Sequence, residues 1–383
     1  GCRPDVRPAI YAPAFRAGDG QMTPQDLDRI HAALVGRPGF ETVPRDALEP
    51  LPQKGLAHDH VAIRGTGALL RIPRQSQFAL SARSNLEYQT AAFARTAAGG
   101  HAPRIHGAIA PTPHMPMGAV IVDHVEGEPA KLPRDLPALA ECLASIHRLP
   151  VPDPKWRPPL ADHRDPVRGT LRFIEDQASY LEAGVEDSDA RRIIEEEIAW
   201  ARAFAGESSG KAQPVTLVAT DTHPGNYVIR PDGSAVIVDI EKALYGAPAI
   251  DLAHCSLYTS TTWDVAASFE LEPAEIADFY RCYLDCVPAA LARDLQPWLM
   301  PLRRLTWLRS TTWSAKWRVE SRGERRAAKH AAESTEDWSA ENRDAALIAH
   351  VEGRTRDFLS APTIERIRAE WRDPGGLASL FRS

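Results

Sequence analysis

Short apolar runs separated by turn residues dominate residues 46–123, whereas longer, helically spaced apolar positions dominate most of the chain after residue 124. The first region contains the runs HVAIRGTG and ALLRIPR, a helical stretch at about 78–97, and two further β-rich runs at 106–110 and 118–123. Strands that are this short and this close in sequence favour antiparallel pairing. We therefore predict a small antiparallel sheet accompanied by one helix.

The second region predicts a mainly helical unit. Helical periodicity covers residues 136–148, 166–183, 187–205 and most of 274–383. Ahead of the sheet, an irregular arm leads to a helix that begins at Thr23, where a hydroxyl cap precedes a proline. The expected fold class is α+β with two lobes, a small antiparallel-sheet N-lobe and a mainly helical C-lobe. The expected division is 1–45 for the arm and helix, 46–123 for the N-lobe and 124–383 for the C-lobe.

The composition is that of an ordinary globular chain and excludes several classes of protein. The chain has 383 residues, 44% of them hydrophobic and 25% charged, with a formal net charge of −6. Without a basic excess we expect no nucleic-acid partner. No apolar run of about 18 residues and no hydrophobic leader is present, so we expect a cytoplasmic protein that does not enter a membrane. The five cysteines are scattered and lack zinc-site spacing.

The segment 215–256 carries the strongest chemical signal. Asp221 and Asn226 are five residues apart on a loop that contains proline and glycine, and Asp239 follows a predicted hairpin whose turn is Pro231–Ser234. Because a hairpin folds back on itself, it can bring Asn226 and Asp239 together. Amide and carboxylate oxygens suit Mg²⁺. Asp221 would then be free to accept a proton from an attacking hydroxyl.

This segment resembles the catalytic loop and metal-binding hairpin of the aminoglycoside phosphotransferase and choline kinase family, in which HGD-x-HPGN precedes a hairpin and an acidic element. The matching residues are Asp221, His223, Pro224, Gly225, Asn226, Asp239, Glu241, Gly246, Pro248 and Asp251–Ala253. The departures are Ala219 and Thr220 for His-Gly, Ile240 for an aromatic residue and Ala247 for an acid. The resemblance implies a two-lobed, protein-kinase-like fold. It further implies that ATP or GTP, with Mg²⁺ on Asn226 and Asp239, phosphorylates a small hydroxylated substrate, cationic in several branches of the family.

The resemblance also assigns residues of the N-lobe. Arg71, on a predicted strand, would hold the nucleotide phosphates, and Glu87, on the following helix, would hold Arg71. Gly55 would lie in the turn that covers the phosphates. His58 and His60 share a strand face, but no third ligand has a spacing that would complete a metal site with them.

The segment Asp123, His124 and Val125 resembles the linker between the lobes, whose backbone would hydrogen-bond the purine. By the same resemblance, Asp251 is expected to brace the catalytic loop. Two roles are open to His223, which could approach the transferring phosphoryl group or shape the loop.

The sequence leaves two alternatives to a small-molecule kinase. A nucleotide-binding regulator with little catalysis, a pseudokinase, is the alternative, because the His-Gly pair before Asp221 is absent. Against it, Asp221, Asn226 and Asp239 are all present. A protein kinase is disfavoured because only 11 residues separate Asp239 from Asp251, which leaves no room for an activation loop.

Overall fold

The computed structural model describes residues 22–51, 58–74, 76, 78–320 and 345–381. Its N-lobe is a five-stranded antiparallel sheet with the spatial order β1-β2-β3-β5-β4. The strands are β1 (Leu48–Pro50), β2 (His58–Ile63), β3 (Ala68–Pro73), β4 (Ile105–Ile109) and β5 (Ala119–Asp123). Two helices accompany the sheet, α1 (Pro24–Leu34) and α2 (Ala82–Thr96). The predicted antiparallel N-lobe is confirmed.

The two faces of the sheet have different neighbours. Leu70 of β3 belongs to the same buried cluster as Ile30 and Leu34 of α1. Because successive strand residues point to opposite faces, Arg71 points away from α1, and its guanidinium lies 5.4 Å from the centroid of the Phe93 ring of α2. The inner face of the sheet therefore presents a cation toward the rest of the molecule.

Helix α1 begins as its sequence predicts. The Thr23 side chain accepts from the backbone N–H of Asp26, and the Asp26 carboxylate accepts in return from the N–H of Thr23, a reciprocal capping box. The helix packs on the N-lobe sheet rather than apart from it. The domain boundaries at residues 45 and 123 stay predictions.

The C-lobe is mainly helical, as expected. Its helices are α3 (Leu136–His147), α4 (Pro166–Ala178), α5 (Leu181–Gly184), α6 (Ser188–Glu207), α7 (Pro248–Ser256), α8 (Tyr258–Thr261), α9 (Pro273–Cys286), α10 (Ala289–Leu295), α11 (Leu299–Glu320), α12 (Ala345–Phe358), α13 (Ala361–Arg372) and α14 (Leu377–Leu380). Short strands form two small sheets within it: β6 (Glu128–Pro129), β8 (Tyr227–Ile229) and β9 (Ala235–Ile237) in one, β7 (Thr216–Val218) and β10 (Leu244–Gly246) in the other.

One buried apolar cluster extends from α2 and β5 of the N-lobe through the helices of the C-lobe. Helix α11 packs against α4, α5 and α7, so it runs through the middle of the helical region. Its Trp307 is fully buried. Trp263 and Trp313 instead line a cavity, with their rings in edge contact at a centroid distance of 5.5 Å.

Across the described part of the chain, every helix is too short or too polar to cross a bilayer. The described cysteines, Cys142, Cys255, Cys282 and Cys286, carry free thiols.

Candidate active site

The loop after β7 is held in place by a buried carboxylate. Asp251, in the first turn of α7, accepts hydrogen bonds from the backbone N–H groups of Ala219 at 2.7 Å and Thr220 at 2.9 Å. Its Oδ2 also lies 3.0 Å from Nε2 of His147, and its backbone carbonyl accepts from the Thr222 hydroxyl at 2.7 Å. Asp251 and His147 are completely buried. The expected bracing role of Asp251 is confirmed, and His147 is a structural residue.

Thr220 adopts an unusual backbone conformation with φ of 67°. A β-branched residue rarely enters the left-handed region, which favours glycine. Here the Thr220 N–H is fixed by Asp251, and its hydroxyl donates to the backbone carbonyl of Lys242 at 3.0 Å. The departure from His-Gly noted in the sequence therefore changes the residue and keeps the backbone shape that glycine would adopt.

Asp221 follows Thr220 and lies against a lysine. Nζ of Lys242 is 3.0 Å from Oδ2 of Asp221, and Nε2 of His223 is 3.9 Å from Oδ1. Burial opposes ionisation of Asp221, but Lys242, His223 and His254 outweigh it and hold the pKa of this carboxyl well below its usual range. Asp221 is thus an ionised acceptor at neutral pH.

Lys242 was missed by sequence reasoning. Its only signal is its position, directly after Glu241 in an otherwise apolar stretch, and this does not show that it turns back to the catalytic loop.

Two histidines border Asp221. The rings of His223 and His254 are in edge contact at 6.3 Å. Nδ1 of His254 accepts the backbone N–H of Thr222 at 3.1 Å, so the proton of the neutral ring is on Nε2. Burial lowers the pKa of His254 to about 4, which keeps it neutral. Nδ1 of His223 is buried without a hydrogen-bond partner among the described residues. Both roles considered for His223 stay open.

The hairpin places Asn226 beside the strand that leads to Asp239. Tyr227 of β8 pairs with Ile237 of β9, and the backbone N–H of Val238 donates to the carbonyl of Asn226 at 2.9 Å. The Asn226 amide Nδ2 donates to the Asp221 carbonyl at 2.9 Å, which leaves its side-chain oxygen as the group able to bind a cation. The Asp239 side chain is 31% exposed. These oxygens fit Mg²⁺ chemically, and their role as ligands stays a prediction.

Arg71 contacts this hairpin and not Glu87. It donates from Nη1 to the Val238 carbonyl at 2.7 Å, and from Nη2 to Asp239 at 2.5 Å and to Glu241 at 3.0 Å. Glu87 is exposed and pairs with Arg83, one helical turn away on α2, at 3.5 Å. The predicted Arg71–Glu87 pair does not form.

The reason is the phase of α2. Leu86, Gln89 and Phe93 are buried on one face, and Glu87 lies outside that stripe. Gln89 is one of the polar residues of α2 that are buried, and its Nε2 lies 3.3 Å from Nε2 of His58. Its spacing of three residues from Leu86 and four from Phe93 was the signal that could have identified it.

His58, Asp239 and Glu241 form a group whose ligand atoms lie within 4.8 Å of one another. Thus the partners that His58 lacked in the sequence come from the distant hairpin. Burial, and then Arg71, lower the pKa of His58, whereas burial and the neighbouring Asp239 raise the pKa of Glu241. Burial also opposes ionisation of Asp239, but Arg71 holds its pKa well below the usual range. Since Arg71 hydrogen-bonds both Asp239 and Glu241, a metal ion bound to these carboxylates would compete with the Arg71 guanidinium.

The remaining nucleotide-binding assignments concern the turn and the linker. Gly55 lies outside the described residues. The Asp123 side chain accepts from Nε of Arg104 at 3.1 Å and lies 2.8 Å from Nε2 of His106. The His124 N–H donates to the Gly67 carbonyl at 2.8 Å. A purine would therefore have to meet other backbone groups of the Asp123–Val125 segment, and that contact stays a prediction.

A cavity of about 490 Å³ opens beside Asp221. Loop residues, β10 and helices α4, α7, α8 and α11 enclose it. Aromatic rings, among them Phe173 and Trp313, form much of its wall, and the aspartate, lysine and arginine residues that line it are Asp176, Asp221, Lys242, Arg309 and Lys316. This volume suits a small organic molecule. The sequence did not identify the pocket, because its walls come from segments far apart in the chain.

The sequence matches the profile of a family described as phosphotransferase enzyme family over residues 50–281. A search of curated protein sequences found no match. The matched residues include the loop that carries Asp221, the hairpin and Arg71.

Several solved structures are similar in fold. Ethanolamine kinase from Plasmodium vivax has a TM-score of 0.54 and 12% sequence identity, with 84% of each chain covered. Choline kinase from Cryptosporidium parvum has a TM-score of 0.54 and 13% identity over 90% of this chain and 96% of that one. A choline/ethanolamine kinase family protein from Mesorhizobium loti has a TM-score of 0.54 and 16% identity over 94% of this chain and 100% of that one. These similarities establish the two-lobed, protein-kinase-like fold.

Proposed function

Because the chain belongs to the phosphotransferase enzyme family of small-molecule kinases, we propose that it transfers a phosphoryl group from ATP or GTP to a hydroxyl of a small molecule. The observation that carries this proposal is the position of Asp221, ionised and facing a cavity, beside the hairpin that carries Asn226 and Asp239. A base, a pair of hard oxygen ligands and an enclosed acceptor space are the parts that metal-assisted phosphoryl transfer needs.

Asp221 would orient the acceptor hydroxyl and take its proton. The hydroxyl oxygen then forms a bond to the γ-phosphorus, while the bond from that phosphorus to the β-phosphate oxygen breaks. Lys242 supports this step because it keeps the Asp221 carboxylate ionised. Asp251 fixes the backbone just before Asp221, so the carboxylate is held at a set distance from the acceptor.

Asn226 and Asp239 would hold Mg²⁺, which supplies neutralisation of the nucleotide phosphate charge when bound. The Asn226 amide is already oriented by the Asp221 carbonyl, so the base and the ligand are coupled through one hydrogen bond. Arg71, a fixed cation on β3, would turn from the Asp239–Glu241 pair toward the α and β phosphates.

A pseudokinase is the second candidate, and one observation favours it. Arg71 is 4% exposed and hydrogen-bonds both Asp239 and Glu241. Its guanidinium therefore occupies Oδ1 of Asp239, the predicted Mg²⁺ ligand, when no nucleotide is bound. If binding cannot separate this contact, the protein would bind nucleotide weakly and transfer nothing.

Radiolabel transfer distinguishes the two. The protein is incubated with Mg²⁺ and γ-labelled ATP or GTP, together with amino alcohols, aminoglycosides, nucleosides, sugars or hydroxy acids. A kinase labels at least one acceptor class, and Asp221→Asn reduces the rate of labelling roughly 100-fold or more. Binding of Mg²⁺ and nucleotide by calorimetry, with no transfer to any class, would instead favour the pseudokinase.

A further inference from the structure

The cavity beside Asp221 has more fixed positive than negative charge on its walls. Three permanent cations line it, Lys242, Arg309 and Lys316, against two carboxylates, Asp221 and Asp176. Lys242 and Asp221 are paired with each other. Asp176 is exposed, so water screens it. The unbalanced charge of the interior is therefore that of Arg309 and Lys316.

Both cations lie on one face of α11. Arg309, Trp313 and Lys316 are spaced at i, i+4 and i+7, so they form a single stripe toward the cavity. Seven residues correspond to about 10 Å along a helix axis. The stripe therefore offers two cationic positions separated by an aromatic ring.

Arg309 and Lys316 are half-buried, yet neither forms an ion pair with a carboxylate within the part of the chain that the structure describes. By contrast, Arg303 and Arg304 of the same helix are each paired with a glutamate, Glu370 and Glu197. A partly desolvated cation without a counter-charge is costly unless a ligand supplies one. These two side chains are placed to receive an anion.

Arg309 is the cation nearer to the chemistry. Its guanidinium lies 5.7 Å from the centroid of the Phe173 ring, which fixes it on the cavity wall. It also contributes to the lowered pKa of both His163 and His254, after burial in each case, so its charge reaches the residues beside the catalytic loop. Phe173, Trp263 and Trp313 supply apolar surface around it.

The geometry points to an acceptor that carries an oxyanion, a carboxylate or a phosphate, on an apolar body beside the hydroxyl that is phosphorylated. This inference rests on the proposed function for the hydroxyl and goes beyond it in the charge of the substrate. Arg309 would bind the anion through two parallel N–H donors, Lys316 would add a second charge and Trp313 would stack on the body between them. It runs against the cationic acceptor that the sequence resemblance suggested.

Matched probes test the charge directly. Dissociation constants are measured by calorimetry for para-(hydroxymethyl)benzoate, para-(hydroxymethyl)phenyl phosphate, para-(aminomethyl)benzyl alcohol and benzene dimethanol. One of the two anions should bind about tenfold or more tightly than the amine, the ratio expected for about one extra charge-assisted hydrogen bond. The better anion identifies the carboxylate or the phosphate as the preferred group.

Variants then assign the preference to the stripe. Arg309→Gln and Lys316→Gln should each reduce the preference for the anion several-fold, and Arg309→Lys should retain part of that preference. Arg281 is an exposed cation of α9 away from the cavity, so Arg281→Gln should leave the preference unchanged. Affinity for Mg²⁺ and ADP should not change in Arg309→Gln. The inference is overturned if the amine or the neutral diol binds as tightly as both anions, if no anion binds, or if Arg309→Gln weakens only the nucleotide.

The same proteins are assayed for phosphoryl transfer from ATP, which separates the two proposals. Transfer confined to amines would sustain the kinase and overturn the anionic acceptor. Anion binding that depends on Arg309, without transfer to any acceptor class, would sustain the anion site and overturn the kinase.

Discussion

Arg71 of the N-lobe and Asp239 of the C-lobe are in direct contact, with Nη2 of the first 2.5 Å from Oδ1 of the second. The contact connects the lobes at the point where the nucleotide phosphates and Mg²⁺ would lie. Glu241 accepts from the same Nη2 and is itself 3% exposed. A single guanidinium therefore bridges the partly exposed Asp239 and the buried Glu241, and a nucleotide whose phosphates bind Arg71 must reorganise these contacts.

Removal of Arg71 should be destabilising. Arg71→Ala leaves Asp239 and Glu241 close together without their cation, a loss that for buried pairs is about 3–5 kcal/mol in the free energy of unfolding. Glu87→Ala is the matched control, because Glu87 is exposed and pairs with Arg83 and not with Arg71. It should change stability by no more than about 0.5 kcal/mol and leave the nucleotide KM unchanged. Urea denaturation measures the unfolding free energy of both variants. Equal losses of stability in Arg71→Ala and Glu87→Ala would contradict the contact of Arg71 with Asp239 and Glu241.

The hairpin and the partner of Arg71 show what the sequence can and cannot predict. The hairpin 227–238 is local, so turn residues and alternation were enough to place Asn226 and Asp239 together. The partner of Arg71 is set by packing between lobes, which no local pattern encodes. The outward position of Glu87 follows from the spacing of the buried residues Leu86 and Phe93 on α2, whereas the family resemblance implied that Glu87 holds Arg71.

The same distinction holds for the cavity proposed to bind the acceptor. Asp221 stands in a motif and could be identified from its neighbours in sequence. Arg309, Trp313 and Lys316 stand in a long helix whose contacting face depends on where α4 and α7 pack. Their spacing was visible, yet nothing in the sequence distinguished a cavity wall from a solvated face.

Asp221→Asn should reduce kcat roughly 100-fold or more, the scale expected for the loss of a general base. Nucleotide affinity should stay close to that of the wild type, since Asp221 contacts Lys242 and the loop. Steady-state kinetics and calorimetry measure the two quantities. Asp285→Asn, at an exposed site on α9, controls for the loss of one negative charge. Unchanged turnover in Asp221→Asn would remove the assigned proton acceptor.

Lys242→Met should move the acid limb of the kcat profile to higher pH. Lys242 is the largest of the influences that lower the Asp221 pKa, and burial opposes it. Without the lysine, Asp221 is protonated at a higher pH and ceases to accept a proton. Lys211→Met, at an exposed lysine, should leave the profile in place. A variant that loses activity equally at every pH would show that Lys242 acts on the phosphates and not on Asp221.

Thr220 allows a test of backbone strain. Thr220→Val keeps the branched side chain at positive φ but removes the hydroxyl that donates to Lys242, so it should cost about 1–3 kcal/mol. Thr220→Gly relieves strain of about 1–3 kcal/mol, but it loses that hydrogen bond and adds backbone entropy to the unfolded chain, so the net change should be within about 1 kcal/mol. Thermal denaturation ranks the stabilities of the two variants and the wild type. A glycine variant less stable than the valine variant would show that the strain relieved at this positive φ is smaller than the entropy that glycine adds to the unfolded chain.

His254 should make stability depend on pH. Burial lowers its folded-state pKa to about 4, below the value of about 6.5 expected in the unfolded chain. The unfolded chain therefore binds more protons between these values, and the stabilisation is present above about pH 6.5 and is lost as the pH falls toward 4. Between pH 7 and pH 5 the loss from this residue should be about 2 kcal/mol. His254→Asn retains an acceptor for the Thr222 N–H and cannot titrate. The unfolding free energy of the wild type should therefore fall by about 2 kcal/mol more than that of the variant as the pH is lowered from 7 to 5. Asp221, His223 and Arg309 face the ring and are unchanged in the variant. A wild-type and variant pair whose unfolding free energies change in parallel with pH would show that the pKa of His254 is the same in the folded and the unfolded protein.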